Sequence, residues 1–222
     1  MKRQKTQSPS KPRPPTGPRW QVIAPIVLGV LAIAAIVVYT VTQMHRLPSA
    51  AVQSNAIPTA APPRAVGTHA PTFAVLTPTG QITSASLAGK PYMLELFATW
   101  CPHCQRMTKV LRTVRERIPE SHMGMVSVSA SLYAMNATMG NPLRSSQADV
   151  DTYDEMFGVT WPTAFDPELS VARTWGLAGF PQIYVVNASG TIVYAHAGEL
   201  PLSTLLAAAH KAGAKATWTR GP

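Results

Sequence analysis

The two cysteines of this 222-residue chain, Cys101 and Cys104, constrain its fold more than any other feature of the sequence. They follow an apolar run and precede apolar residues that recur at three- and four-residue spacing. They therefore lie where a predicted buried strand is followed by an amphipathic helix. Two thiols in that arrangement are typical of a reversible disulfide. Because the chain has no other cysteine, no other disulfide can form within it.

The N-terminal residues predict a membrane anchor. Residues 1–21 are rich in proline and basic residues and contain no acid, whereas residues 22–42 carry no charge. A helix over 22–42 would be ~31 Å long, about the thickness of the hydrocarbon core of a bilayer. Six basic residues precede this run and only Arg46 follows it closely, so we expect the N-terminus inside the cytoplasmic membrane and the rest outside. A cleaved signal peptide is the alternative, although its apolar region usually covers only ~7–15 residues.

Beyond the anchor, composition divides the chain into a linker, a domain and a tail. Residues 43–67 are rich in alanine, proline and serine and predict a flexible linker. Residues 68–216 predict one folded domain, and 217–222 a short tail. Residues 1–21 carry six of the nine net positive charges, so the pI of 9.9 does not predict nucleic-acid binding. The basic tail is instead expected to set the topology and to contact the lipid bilayer.

Hydrophobic patterning within 68–216 predicts an α/β fold, with a mixed sheet covered by helices on both faces. The predicted strands are 73–76, 81–83, 92–97, 125–130, 183–186 and 191–194. One predicted helix begins near Pro102, and three others cover 149–157, 169–175 and 202–209. The segment 132–147 has no clear period and is long for a loop, which favours a functional role.

Several motifs in this domain resemble the thioredoxin fold and, within it, membrane-anchored thiol–disulfide oxidoreductases of the TlpA/ResA type. In chain order they are 87–91, 92–97, Ala-Thr-Trp-Cys-Pro-His-Cys at 98–104, Phe-Asp-Pro at 165–167, Gly-Phe-Pro at 179–181 and Gly-Thr-Ile-Val at 190–193. The resemblance implies a thioredoxin fold with a modest insertion before a cis-proline. It also implies disulfide exchange with protein substrates, with no cofactor beyond the redox-active Cys101–Cys104 pair and no metal.

A cysteine at the start of a helix experiences the positive end of the helix dipole and unpaired backbone donors, which favour the thiolate. Cys101 is therefore expected to be the exposed, attacking thiolate, and Cys104 the more buried thiol that resolves the mixed disulfide. Three alternatives are disfavoured. A zinc site lacks a second cysteine pair, a c-type haem needs histidine where Gln105 stands, and inert core cysteines do not fit behind Trp100.

Two further residues are expected to tune this pair. His103 can donate to the Cys101 thiolate or stabilise it by charge, as in the similar Pro-His pair of DsbA, although it can also be surface filler. Glu95 falls where thioredoxin-like proteins keep a buried acid beneath the disulfide. In an apolar strand its pKa should be raised, which suits a proton acceptor for the resolving thiol. Strand alternation leaves a solvent-facing Glu95 as the alternative.

The resemblance also places substrate-binding residues around the cysteines. Pro181 matches the cis-proline that packs beside the disulfide, and Phe180 holds the preceding position, where relatives more often have a smaller residue. Trp100 and Pro102 complete the expected substrate-binding set, with Trp100 shielding the disulfide and presenting an apolar platform. The larger Phe180 bears on substrate preference and leaves the expected reaction unchanged.

The sequence therefore favours a membrane-tethered reductase of partner-protein disulfides, in apocytochrome c or copper-site proteins, which a membrane redox partner recycles. Pro102-His103 favours a DsbA-like oxidase instead, but the spacing between Cys101 and Pro181 leaves no room for the large helical domain of DsbA. A copper chaperone is a third hypothesis, because Met135 and Met139 offer soft thioether ligands besides the thiols.

Overall fold

The computed structural model describes residues 25, 28–36, 38–39 and 61–215. Residues 25, 28–36 and 38–39 are helical. Among all the described residues, no helix is both long enough and apolar enough to span a membrane. The predicted basic tail, much of the predicted span over 22–42 and the tail 217–222 lie outside the described residues.

A five-stranded mixed sheet forms the centre of the domain. Strands β1 (Ala74–Thr77) and β2 (Gly80–Thr83) form a separate hairpin before it. In spatial order the central sheet contains β5 (Thr163–Phe165), β4 (Gly124–Ser129), β3 (Tyr92–Phe97), β6 (Gln182–Val186) and β7 (Ile192–Ala197). The first three strands are parallel, and β6 and β7 join antiparallel. Strands β3, β4 and β6 are buried throughout, because both faces of the sheet are covered.

Helices cover this sheet on two faces. They are α1 (Pro102–Arg117), α2 (Gln147–Phe157), α3 (Ser170–Trp175) and α4 (Leu202–Lys211). Helices α1 and α4 pack with Met93 on one face, while Trp175 of α3 packs with Leu94 and the hairpin on the other. Since side chains alternate along a strand, Glu95 lies on the same face as Met93, beneath α1. The sheet therefore places a carboxyl group under the helix that carries both cysteines.

The α/β architecture predicted from the sequence is confirmed, and two segments differ from expectation. Strand β5 was not predicted, because three residues between Pro162 and Asp166 are too short to show an alternating pattern. The predicted linker is described only from residue 61 onwards, and this part is hydrogen-bonded to the domain. The Arg64 amide donates to the Trp175 carbonyl at 3.0 Å, and the Gly67 amide to that of Ile192 at 2.8 Å. The ordered domain therefore begins before the predicted Thr68.

Candidate active site

The cysteine pair lies at the N-terminus of α1, as predicted. Cys101 is the N-cap residue with extended backbone angles, and Pro102 occupies the first turn, where a missing backbone donor has no helical partner to lose. The Gln105 amide donates to the Cys101 carbonyl at 3.1 Å and closes the first turn. Both cysteines are free thiols. The helix start thus fixes the positions of the two sulfurs relative to each other.

The two thiols differ strongly in acidity. The pKa of Cys101 is lowered to about 6, mainly by a hydrogen bond from the Cys104 thiol and further by backbone donors and the charge of His103. The pKa of Cys104 is raised, mainly by burial and then by its hydrogen bond to Cys101 and the negative charge of Glu95. At neutral pH, Cys101 is therefore mostly thiolate while Cys104 keeps its proton.

The expectation that Cys101 is exposed is wrong. Only 4% of Cys101 is accessible, against 0% of Cys104, so the order of burial is as predicted but both sulfurs lie inside. Cys101 packs in one cluster with Phe97 and Tyr153, and Phe180 lies against that cluster. Its Sγ is 4.0 Å from the Phe180 carbonyl oxygen. The loop that contains Phe180 therefore shields Cys101 from solvent.

Glu95 is buried beneath the cysteines, which excludes the solvent-facing alternative. Its side chain is 3% exposed. The Ser127 hydroxyl donates to Oε2 at 2.6 Å and itself accepts from Trp161 Nε1 at 2.9 Å. Within the described residues, Oε1 has no hydrogen-bond partner. Burial raises the pKa of Glu95 to about 7, and the negative charges of Asp154 and Cys101 add to this effect. Glu95 can therefore hold or release a proton at neutral pH.

Asp154 is an acid near this site that the sequence did not predict. It lies on α2 and accepts a hydrogen bond from the Thr163 hydroxyl, while its Oδ1 has no partner among the described residues. Burial raises its pKa to about 6. Glu95, Ser127 and Thr163 are neighbours across β3, β4 and β5. Since β5 was not recognised in the sequence, this polar row could not be anticipated.

His103 and Arg106 meet Glu199 on the exposed side of the cysteines. His103 Nδ1 lies 2.5 Å from Glu199 Oε1. Arg106 donates from Nη2 to Oε1 at 2.6 Å and from Nε to Oε2 at 3.1 Å. The hydrogen bonds to Arg106 and then His103 lower the pKa of Glu199 to about 2. Glu199 was not predicted from the sequence, because it lies 93 residues after Arg106 in the loop before α4.

The predicted substrate-binding residues surround Cys101. The Phe180–Pro181 peptide bond is cis, as predicted. Trp100 is 39% exposed and meets Phe180 edge-on, with ring centroids 6.0 Å apart. Pro102 is exposed at the start of α1. The structure thus brings the other six predicted site residues together around Cys101 and Cys104.

The segment 131–146 folds back on itself beside this site. Bridges join Tyr133 to Arg144 and Thr138 to Asn141. Asp149 connects the segment to the loop before the cysteines: it accepts from the Met135 amide at 3.0 Å and from the Thr99 hydroxyl at 2.7 Å. In the part of the chain that the structure describes, no group of three or more His, Cys, Asp or Glu residues could hold a metal ion.

Paired thiols at a helix start, a cis-proline beside them and a mixed five-stranded sheet define a thioredoxin-like protein, as the motifs implied. Comparison with known families agrees. The chain belongs to the Redoxin family, whose model matches residues 65–209.

Individual relatives carry names that fit this class. The chain is 31% identical over 141 residues to the thiol:disulfide interchange protein DsbE of Tatumella citrea, covering 61% of this chain and 66% of that one. It is 27% identical over 112 residues to the thiol-disulfide oxidoreductase ResA of Halalkalibacterium halodurans, covering 50% and 56%. The matches therefore span less than two thirds of each of these relatives.

A solved structure gives the same fold. The crystal structure of a DsbE-type thiol:disulfide interchange protein from Chlorobium tepidum superposes with a TM-score of 0.57 at 20% identity, covering 67% of this chain and 97% of that one. At this level of identity, the match establishes the thioredoxin-like fold. The resemblance to ResA-type proteins drawn from the sequence motifs is confirmed.

Proposed function

We propose that this protein is a thiol–disulfide oxidoreductase that reduces disulfides in partner proteins. One observation carries the proposal: a Cys101 thiol with a pKa of about 6 lies next to a buried, protonated Cys104. A thiolate is the attacking species in disulfide exchange. A nearby protonated thiol can then resolve the mixed disulfide in the second step.

The reaction takes two exchange steps. The Cys101 thiolate attacks one sulfur of the partner's disulfide, so that bond breaks, a Cys101–partner disulfide forms and the partner's other sulfur leaves as thiolate. Cys104 then transfers its proton towards Glu95 and attacks Cys101 Sγ, which releases the partner's second thiolate. The partner gains two electrons and its thiolates take up protons, while Cys101 and Cys104 become a disulfide. Glu95 suits the acceptor role because its pKa is raised to about 7, mainly by burial.

One feature supports reduction as the net direction, and one favours the opposite. The chain between Cys101 and Pro181 contains α1, β4, one folded-back segment, α2, β5 and α3, without the large helical domain of DsbA. The names of the relatives, interchange protein and oxidoreductase, fit disulfide exchange in either direction. His103, in contrast, stabilises the thiolate and thereby favours an oxidase. We give this architecture more weight than His103, and we therefore propose reduction as the net direction.

Trapping of free thiols in living cells tests the direction. Acid quenching followed by alkylation should show Cys101 and Cys104 mostly as thiols, and a predominantly disulfide steady state would show an oxidase. A Cys104→Ala variant should accumulate mixed disulfides with natural substrates, because Cys101 can attack but nothing resolves the product. The matched control is the Cys101→Ala, Cys104→Ala double variant, which should trap none. Copper that co-purifies with the wild type, without trapped substrates, would favour the chaperone hypothesis.

We further propose that residues 22–42 tether the domain to the cytoplasmic membrane, with the catalytic domain on its periplasmic side. There it would reduce apocytochrome c or copper-site proteins and be recycled by a membrane redox partner. The charge-free run and the basic residues before it support this topology. Protease added to spheroplasts should digest the domain, and deletion of residues 1–42 should release it from the membrane fraction. Protection in intact spheroplasts would contradict the orientation.

A further inference from the structure

Glu199 connects Arg106 and His103 in front of the cysteines. Its carboxylate accepts three hydrogen bonds from Arg106: from Nη2 to Oε1 at 2.6 Å, and from Nε to Oε1 at 3.0 Å and to Oε2 at 3.1 Å. His103 Nδ1 lies 2.5 Å from Glu199 Oε1 and 2.8 Å from Arg106 Nη2. His103 and Arg106 stand three residues apart on the first turns of α1, so they project from the same side of the helix. Glu199 comes from the loop between β7 and α4, far from both of them in the chain. The guanidinium, the imidazole and the acid therefore form one cluster at the helix start.

Both partners of Glu199 also interact with Cys101. The lowered pKa of Cys101 has the Cys104 hydrogen bond as its main cause, and the positive charge of His103 contributes to it. The raised pKa of Arg106 is due mainly to Glu199, and the negative charge of Cys101 adds to it. Glu199 thus competes with the Cys101 thiolate for the charge of Arg106 and, when the imidazole is protonated, for that of His103. Among the described residues, no other acid makes an ion pair with Arg106 or His103.

We propose that Glu199 is a positioning residue that sets the redox preference of the dithiol, by neutralising positive charge that would otherwise stabilise the Cys101 thiolate. The reduced protein carries this thiolate and the disulfide form does not. Cations near Cys101 therefore favour the reduced form and make the disulfide more oxidising, whereas an acid that offsets them makes the dithiol more reducing. The inference rests on the proposed function, and it reconciles a DsbA-like Pro-His pair with a reductase.

The experiment measures the equilibrium between protein and glutathione. One protein disulfide and two glutathione thiols give one protein dithiol and one glutathione disulfide, so two electrons and two protons are exchanged. Glu199→Gln keeps the side-chain shape and removes the charge. We expect its equilibrium constant to shift towards the reduced protein by about threefold, since exposed ion pairs are worth little. For a two-electron couple that is ~14 mV.

A matched control removes one charge from the same helix. Glu116→Gln lies ten residues beyond Arg106, about 15 Å along α1, and is exposed. Its equilibrium constant should equal that of the wild type. Raising the salt concentration to about 1 M should abolish most of the Glu199→Gln shift, because the Debye length falls to about 3 Å. A purely structural role for Glu199 would leave a shift that salt does not reduce.

His103 is tested separately, because Glu199 contacts both His103 and Arg106. The same comparison is therefore made between His103→Asn and His103→Asn, Glu199→Gln, where Arg106 is the remaining cation. A shift towards the reduced protein in this background supports the proposal, and no shift, or the opposite shift, overturns it. If the wild type fails to equilibrate with glutathione at all, the proposed redox function is wrong. If it equilibrates normally and the variants do not differ, only the role of Glu199 is wrong.

Discussion

Two glutamates flank the same pair of thiols in opposite environments. Glu95 lies beneath the cysteines, 3% exposed and bonded to Ser127, and burial raises its pKa to about 7. Glu199 lies in front of them at the surface, where the hydrogen bonds to Arg106 and His103 lower its pKa to about 2. The same side chain is therefore half protonated at neutral pH in one region and fully ionised in the other.

Because their pKa values differ, the two acids can have different roles. Glu95 can take the proton of Cys104 and return it within one turnover, because its pKa lies near the working pH. Glu199 keeps its charge throughout and can act only through its field and its hydrogen bonds. Replacing each by glutamine should therefore affect different measurements: rates and their pH dependence for Glu95, and the redox equilibrium for Glu199.

Glu95→Gln should produce the largest change, a slower second exchange step. Reduced protein mixed with 5,5′-dithiobis(2-nitrobenzoate) releases one thiolate as Cys101 attacks and a second as Cys104 resolves the mixed disulfide. Loss of the proton acceptor should slow the second phase about 100-fold, at the lower end for general-base catalysis. Absorbance stopped-flow separates the phases, and Glu116→Gln should show both at wild-type rates. A second phase that stays fast in Glu95→Gln would remove Glu95 from the proton path.

Glu95 should contribute to the stability of the reduced protein with a defined dependence on pH. Because its folded pKa is about 7 against an ordinary glutamate value of 4.5, the folded state keeps a proton that the unfolded state loses. The contribution of Glu95 should therefore fall as pH rises from about 4.5 to 7, by up to ~3 kcal/mol, and then level off. The lowered pKa of Cys101 adds a contribution that rises between about pH 6 and 9, so the effect of Glu95 is taken as the difference between the wild type and Glu95→Gln. The Glu95→Gln variant should lose most of this decline. Measured by urea unfolding, it should be more stable than the wild type at pH 8. An equal decline in both proteins would contradict the raised pKa.

The sequence could predict one of these glutamates and not the other. Glu95 interrupts an apolar strand at a fixed distance before the cysteines, so both the pattern and the family motif indicated it. Glu199 and Arg106 are brought together only by the path of β7 and the loop after it, which leaves no local signal. Thr163, the partner of Asp154, belongs to a strand too short to recognise. The cover over Cys101 likewise depends on Phe180, from a distant loop, so burial could not be judged from helix position alone.

Asp154→Asn should have a smaller effect, exerted through Glu95. The negative charge of Asp154 is one cause of the raised pKa of Glu95, after burial. The neutral variant should therefore lower the pKa of Glu95 and move the pH profile of the second exchange phase to lower pH. The profile rises as Glu95 loses its proton, so its midpoint reports this pKa directly. Glu155→Gln, the next residue on α2 and exposed, is the control and should leave the midpoint in place.

Glu199→Gln should change these kinetic and stability measurements least. Its ion pairs are exposed, and such pairs contribute little to folding, so the melting temperature should move by no more than about 2 °C. Its folded pKa is lowered to about 2, so its contribution to stability is present above pH 4.5 and is lost only as pH falls towards 2. The second exchange phase and its pH midpoint should match the wild type, because Glu199 takes no proton from Cys104. If Glu199→Gln instead slows that phase as strongly as Glu95→Gln, Glu199 also takes part in proton transfer. The separate roles given to the two acids would then be wrong.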